Sequence, residues 1–481
     1  MAWKRRVDSN IRVGYHRGMP LHEYLSFRDG ELFLDDVSAG QVAREFGTPV
    51  FAMSETQLRR DTRRWRQALE DAWPDGPTAL LPAFKANTCL ALRHVLNEEG
   101  VGCDTFGEHE LRAALSTGAD PACVSLNGTN KSEEAIRLAI EHGVRITLDS
   151  LREVEMVSAL SGNAPRPALV RLRLRPGGET LTGPSDFSDR GDSIAGVAAA
   201  YRPGFALADA ERAARSIVGS RGMRLVGTHT HLGRHTTSLA AWAGVVSDHV
   251  RQIARISAAC GGWRPSEIDL GGGYAERGSP VGQAIAGREA PQEPPPPEQY
   301  TRVIAQAMRA AMRQHGFDSR GVALQLEPGR AIYGPAGVHL TRVVNVRRSP
   351  ERPDRRWVEL DTTEQFLADV VLEHARYPFV LANRVSAAPS VPVDLTGASC
   401  GFDIIAAGIP VPEDIAAGDL VALLNTGAYA ETQTTNFNAF PRPATVLLSG
   451  DLVDVIRRAE TPAEVFSRDR VPARLLRSED T

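Results

Sequence analysis

From about Val50 to Glu327 the chain alternates short apolar segments with amphipathic helical stretches, and that alternation leaves few folds open. Ala79-Leu-Leu-Pro-Ala-Phe84 reads as a buried strand. Leu90, Leu92, Val95 and Leu96 then lay an apolar stripe along a helix over Cys89–Glu98. Further strands are expected at Cys123–Leu126, Arg145–Leu148, Ala168–Leu174, Leu225–His231, Glu267–Leu270 and Val322–Leu326. Helices are expected at Ser132–His142, Leu151–Leu160, Ala208–Val218 and Ser238–Ala258. Strands separated by helices pair in parallel, and this many in succession favour a closed (β/α) barrel of the TIM type over an open doubly wound sheet.

After Tyr333 the pattern changes. Segments His339–Arg347, Trp357–Leu360, Val391–Thr396, Leu420–Leu424 and Ala444–Leu448 are β-rich and punctuated by Gly and Pro, which predicts a second, mostly antiparallel β domain. The expected division is a barrel over 50–335 and a β-rich domain over 336–481. The stretch 274–299, which contains Glu293-Pro-Pro-Pro-Pro-Glu298, reads as a surface loop.

Composition excludes several classes. The 481 residues carry a formal net charge of −4 with no Lys-rich tract, which argues against nucleic acid or an anionic membrane as the main partner. No run of about 18 apolar residues occurs that could span a bilayer. The basic start, MAWKRRVDSNIRVGYHRG, lacks the apolar core of a secretory signal. The five cysteines (Cys89, Cys103, Cys123, Cys260, Cys400) are odd in number and widely spaced, without a Cys-x-x-Cys pair. Neither a disulfide framework nor a zinc ribbon is indicated, and the cytoplasm is the expected location.

Five motifs carry chemistry. Lys85, in Pro-Ala-Phe-Lys-Ala-Asn, follows an apolar strand, where a barrel's active-site mouth lies and where desolvation can tune an amine for Schiff-base formation; a solvated strand-end lysine fits the same pattern. His229 and His231, in Gly227-Thr-His-Thr-His-Leu-Gly233, share a strand face. They suggest a metal pair lacking a convincing third ligand, an imidazole lying flat on an aromatic ligand, or a packed histidine. Gly271, Gly272 and Gly273 can turn backbone N–H groups toward an anion such as a phosphate, or simply form a turn. In Leu326-Glu-Pro-Gly-Arg330, Glu327 can pair with a protonated ring nitrogen and Arg330 can grip a phosphate or carboxylate; a surface ion pair is the bland alternative. Cys400, in Gly397-Ala-Ser-Cys-Gly-Phe-Asp403, is a candidate proton donor or an inert thiol, with Gly427-Ala-Tyr429 downstream.

Taken in order, these motifs resemble the alanine-racemase-fold (fold type III), pyridoxal-phosphate-dependent decarboxylases, a family that includes the diaminopimelate and ornithine decarboxylases. The similarity runs from roughly Val50 to Pro443 and takes in Gly102-Cys-Asp104, Gly107-Glu-His-Glu-Leu111, Thr435-Asn-Phe-Asn438 and Pro441-Arg-Pro443, the last two matching the diaminopimelate branch. The resemblance implies that residues 1–49 join the β domain, and that the protein is a homodimer with shared active sites. It also implies that Lys85 bears pyridoxal phosphate, His231 stacks on its ring, Gly271–Gly273 cradle the phosphate and Glu327 binds the ring nitrogen. Arg330 and Tyr429 would contact phosphate or substrate, and Cys400 would reach across from the partner subunit to reprotonate the product carbon.

Some positions depart from the family. Arg234 stands where a serine is expected, and Gly401 and Phe402 follow Cys400 in place of Glu-Ser. The family's arginine and tyrosine for the distal carboxylate should lie near Leu367–Tyr377, where this sequence has Glu364, Glu373, His374, Arg376 and Tyr377 without a clean match; Glu373 and Tyr377 are the candidates for substrate contact. The expected reaction is decarboxylation of diaminopimelate or a related diamino or basic amino acid. A racemase or epimerase on the same fold and a non-catalytic regulatory homologue are the competing readings.

Overall fold

A computed structural model describes residues 22–177, 202–231, 233–276, 294–351, 355–372, 377–384 and 390–475. The chain divides into two compact units: one holds Glu55–Ala336 with Gly427–Thr432, the other the segments up to Ser54, Gly337–Thr426 and the chain from Gln433.

The first unit is a (β/α) barrel. Its strands are β1 (Thr78–Leu80), β2 (Cys103–Thr105), β3 (Val124–Leu126), β4 (Arg145–Leu148), β5 (Ala168–Arg173), β6 (Met223–His229), β7 (Glu267–Asp269) and β8 (Ala323–Leu326). All pair in parallel, in the order β1-β8-β7-β6-β5-β4-β3-β2. The ring closes between β1 and β2, where Gly102 N donates to Leu80 O at 2.9 Å and Ala83 bridges Asp104. A Cβ at Gly102 would lie 2.2 Å from Cys123 O, so closure requires glycine there. Both faces of each strand are covered, which is why they read as short, nearly continuous apolar runs rather than alternating ones.

Two expected helix starts, Ser132 and Ser238, are in fact caps, while the helix expected from Leu151 does begin there with Ser150 as its cap; each serine accepts the N–H three residues on. A hydroxyl satisfies one of the first turn's unpaired donors better from the cap than from inside the helix. The expected strand Leu225–His231 ends at His229, and the expected strand Ala79–Phe84 ends at Leu80. Beyond Leu80 the chain turns through Pro82 into a 3₁₀ turn, Phe84–Ala86, which carries Lys85. β2 is not among the strands expected from sequence. Most of the Pro-rich stretch (277–293) lies outside the described residues. Pro294–Pro296 are loop as expected, but Pro297 opens the helix Pro297–Gln314 from a position where a missing N–H costs nothing.

The second unit is built on a nine-stranded, mostly antiparallel sheet. Val50–Ser54, which in sequence reads as the start of the barrel, belongs to this sheet. It pairs antiparallel with Gly337–Arg348 and parallel with Ala444–Ser449. Its five residues are all buried, a pattern that fits a central strand of either unit. The N-terminal strands Leu25–Arg28, Glu31–Leu34 and Val37–Ser38 form a small sheet, and Leu32 N donates to Ala382 O at 2.7 Å in the same unit.

Candidate active site

Seven of the eight barrel strands deliver a polar or glycine residue to the C-terminal mouth: Lys85, Asp104, Asn127, Arg173, His229, Gly271–Gly273 and Glu327. That is the end at which barrel enzymes build their sites.

Lys85 donates from Nζ to Asp104 Oδ2 at 2.8 Å. Its side chain is 42% open whereas that of Asp104 is 3% open, so the amine stands at the accessible end of a buried ion pair. Burial pulls the ammonium pKa down, but Asp104, then Tyr429 and Glu327, outweigh it, and the net shift is upward. Burial would likewise raise the Asp104 carboxyl, yet Lys85 and Asn127 hold it below its ordinary range. The lysine is therefore stored as a cation, with its counter-ion fixed by the protein.

Asn127 continues this line across the mouth. One N–H of its amide reaches Asp104 Oδ1 at 2.8 Å, and Nδ2 also bonds Glu327 Oε1. Glu327 Oε2 lies 3.3 Å from His229 Nε2. Burial, and next the Asp104 charge, push the Glu327 carboxyl up to about 7. Asp269 is pushed up to about 7 by burial and then by Glu327. Burial takes His229 down to about 3, so its imidazole is neutral.

His229, Asp269 and Glu327 bring ligand atoms within 4.8 Å of one another, a cluster drawn from three strands that does not include His231, so it does not complete the expected histidine pair. The cation in this cluster is a guanidinium, however. Arg171, 0% exposed at its side chain, donates to Asp269 Oδ2 at 2.7 Å, to Gln325 Oε1 at 2.8 Å and to Ser125 Oγ. Removing one partner of such a buried pair leaves the other charge uncompensated. Arg171→Met is expected to cost about 3–5 kcal/mol, read as a lower thermal midpoint; an unchanged midpoint contradicts this role.

His231 lies beyond the end of β6 rather than in it. Its Nδ1 accepts from Gly272 N at 3.2 Å, which places the ring proton on Nε2. Burial, then Arg173 and Lys85, lower its pKa well below the usual histidine value. The three glycines are a steric requirement. Gly271 and Gly273 have φ of +67° and +105°, and a Cβ would lie 2.8 Å from His231 Nδ1 at Gly271, 2.3 Å from Glu327 O at Gly272 and 2.1 Å from Gly233 O at Gly273. Gly271 N already donates to Asp269 Oδ1 at 2.9 Å, so two of the three N–H groups are engaged by protein acceptors. The triplet thus brings three loops close enough to form one surface.

Arg330 is buried after β8, its guanidinium carbon 4.9 Å from the centre of the Tyr429 ring. Tyr429 has φ +58°, and its N donates to Ala86 O at 2.9 Å, next to Lys85. A Cβ at Gly329 would lie 2.9 Å from Tyr429 Oη. The barrel unit therefore gathers Lys85, His231, Gly271, Gly272, Gly273, Glu327, Arg330 and Tyr429 around one mouth.

The other candidates belong to the β unit. Cys400 is exposed; its N donates to Asn438 Oδ1 at 3.0 Å, and its Sγ accepts from Asn438 Nδ2 at 3.2 Å. Phe402 is 95% exposed and Tyr377 is buried, while Glu373 lies outside the described residues. Arg234 is exposed. Asn127 and Arg171 are site residues that no sequence motif singles out, while Asp104 and Asp269 lie within motifs whose sequence alone gives them no role. Lys85 carries one further signal in the sequence, its rarity: the chain has three lysines, Lys4, Lys85 and Lys131. Lys131 is fully buried against Glu153 at 2.9 Å.

An amine at the open end of a buried pair, a raised carboxyl across the mouth and a glycine-lined loop beside a buried arginine fit an aldehyde-bearing, phosphorylated pyridine. Residues 55–334 match the family described as pyridoxal-dependent decarboxylase, pyridoxal binding domain. The chain belongs to that family and is a pyridoxal-phosphate-dependent amino-acid decarboxylase. It is 32% identical to the diaminopimelate decarboxylase of Actinosynnema pretiosum subsp. auranticum, over 92% of this chain and 93% of that one. Identity to the diaminopimelate decarboxylase of Mycobacterium bovis is 30%, over 91% and 94%. The crystal structure of diaminopimelate decarboxylase from M. jannaschii in complex with L-lysine superposes with a TM-score of 0.81 at 23% identity, covering 94% of this chain and 99% of that one. No helix among the described residues is long and apolar enough to cross a membrane.

Proposed function

We propose that this protein removes the α-carboxylate of a diamino or basic amino acid, with pyridoxal phosphate carried on Lys85. The observation that carries the reading is the continuous line Lys85–Asp104–Asn127–Glu327 across the barrel mouth. When bound, pyridoxal phosphate supplies the electron sink for the carbanion left by loss of carbon dioxide.

The chain's residues do the rest. Lys85 is the covalent anchor, held and charge-balanced by Asp104. Glu327 faces the ring nitrogen, and a carboxyl near 7 can keep a proton at that atom. His231, neutral and fixed by Gly272, offers a flat face to the ring. The loops around Gly271–Gly273 and Arg330 take the phosphate, in the region where barrels often place one, after β7 and β8. Tyr429 closes on Arg330 at the substrate side. On the same reading Cys400, reaching across from the partner subunit, returns a proton to the product carbon, and Tyr377 and Glu373 are the candidates for substrate contact. The assembly is a homodimer with shared sites, working in the cytoplasm on small molecules, without nucleic acid or membrane as partner. The relatives that are diaminopimelate decarboxylases, and the L-lysine in the M. jannaschii structure, support a diamino acid.

The test is carbon dioxide release from L-, D- and meso-amino acids, with diaminopimelate, lysine, ornithine and arginine in the panel. Release from a diamino or basic substrate is expected. Deuterium exchange at Cα without carbon dioxide from any substrate would overturn the reading in favour of racemisation. Cys400→Ala is expected to lower turnover about 10²-fold, the low end for loss of a general acid, with cofactor absorbance retained. Parental turnover would remove Cys400 from the mechanism.

A further inference from the structure

Asp269 is a buried acid whose purpose the mechanism leaves open. Both of its carboxylate oxygens are engaged: Oδ1 accepts from Gly271 N at 2.9 Å and Oδ2 from Arg171 at 2.7 Å. Its place becomes clear when the acids of the barrel interior are matched with their cations. Asp104 has Lys85 at 2.8 Å, Glu267 has Arg145 at 2.7 Å and Asp269 has Arg171. Glu327 has no such cation among the described residues; its partners are the Asn127 amide and the neutral His229. Of the other guanidiniums at the mouth, Arg173 acts on Asp149, His229 and His231, and Arg330 lies against the Tyr429 ring.

Asp269 and Glu327 stand at the ends of the neighbouring strands β7 and β8, with ligand atoms inside the 4.8 Å cluster that they form with His229. Asp269 is 0% exposed and Glu327 5%. Two buried carboxylates set against the one guanidinium of Arg171 would leave a negative charge uncompensated in a dry interior, which is strongly disfavoured. One proton held by the pair removes that charge. The remaining charged neighbours of Glu327 do not alter the count, because Lys85 and Asp104 neutralise each other. Both carboxyls are accordingly raised to about 7, Glu327 by burial and then Asp104, Asp269 by burial and then Glu327.

We propose that Asp269 is a positioning residue for the nitrogen end of the cofactor: in the cofactor-free protein Asp269 and Glu327 share one proton against the charge of Arg171, and that proton is released when a protonated ring nitrogen binds. On binding, the O–H bond of the pair breaks, the proton passes to solvent, and the freed Glu327 carboxylate accepts the ring N–H. The cluster is neutral in both states. One carboxylate faces Arg171 before binding; two face Arg171 and the ring nitrogen after it. By occupying Arg171, Asp269 reserves Glu327 for the ring nitrogen, and through Gly271 the same carboxylate fixes the start of the glycine loop. This rests on the reading of Glu327 given above.

The test measures the affinity of the full-length, cofactor-free protein for pyridoxine 5'-phosphate and for benzyl phosphate at about pH 5 and about pH 6, by quenching of intrinsic fluorescence. Pyridoxine 5'-phosphate keeps the ring nitrogen, protonated at both pH values, but has no aldehyde to engage Lys85. Benzyl phosphate carries the same phosphate ester on a ring without nitrogen. From the lower pH to the higher, wild type is expected to gain about tenfold more affinity for the first compound than for the second, the linkage of one released proton. Equal gains would overturn the proposal, and this outcome is reached without any variant having to fold. In Asp269→Asn, Glu327 is the carboxylate left to balance Arg171 and is already ionised before binding, so the two gains should agree within about twofold. A tenfold difference retained in Asp269→Asn would also overturn the assignment, since Glu327 alone would then hold the proton. Failure of wild type to bind either pyridoxine 5'-phosphate or pyridoxal phosphate would instead sink the reading of the site as a whole.

Discussion

Lys85→Ala is expected to lose about 10⁴- to 10⁶-fold in carbon dioxide release, the scale seen when a covalent nucleophile is removed from a preorganised site. The visible absorbance of the bound cofactor should vanish with it. No other lysine of the barrel can substitute: Lys131 is 0% exposed at its side chain, donates to Gly128 O and pairs with Glu153. The variant should fold, since alanine fits a 3₁₀ turn and the lost side chain is the more open half of its ion pair. Asp104 is left buried without its cation, so a lower thermal midpoint is expected beside the lost activity. Turnover within tenfold of wild type would show that Lys85 is not the anchor.

Glu327→Gln has the second largest expected effect, a fall in turnover of about 10²- to 10⁴-fold, because a glutamine cannot hold the proton at the ring nitrogen. A pH signature accompanies it. The Glu327 carboxyl is raised to about 7 by burial and next by Asp104, so between the ordinary carboxyl range and about 7 the folded state holds a proton that the unfolded chain has released. Stability from this group is therefore fully present at low pH and is lost as pH rises through about 7. Glutamine is neutral throughout and also removes the charge that helps raise Asp269. The thermal midpoint of the cofactor-free variant should vary less than that of wild type over about pH 5 to 8. Parallel profiles would show that Glu327 does not titrate there.

The barrel is legible in the sequence because its strands and helices differ in period, and because parallel strands covered on both faces leave short apolar blocks at regular intervals. β2 escapes because Cys103-Asp-Thr105 has one apolar residue and turns its aspartate into the site. Val50–Ser54 cannot be assigned from its own composition: five buried residues say that a strand is central, not which sheet it joins. The site divides in the same way. Residues in Gly- and Pro-punctuated motifs (Lys85, Gly271–Gly273, Glu327, Arg330) stand out, since special backbone geometry demands special residues. Asn127 and Arg171 sit in plain strand contexts, where an inward-facing polar residue is recognisable only once the opposite wall is known. Arg171 gains meaning from Asp269 and Gln325, which lie 98 and 154 residues away.

The central claim is that Lys85 carries the cofactor. Borohydride reduction of the holoenzyme, followed by peptide mapping, tests it directly, because three lysines leave three places for the label. A pyridoxyl group on the peptide containing Phe84-Lys85-Ala86 is the predicted result. The label on the peptide of Lys131 or Lys4, or a reduced protein with no label, would contradict it.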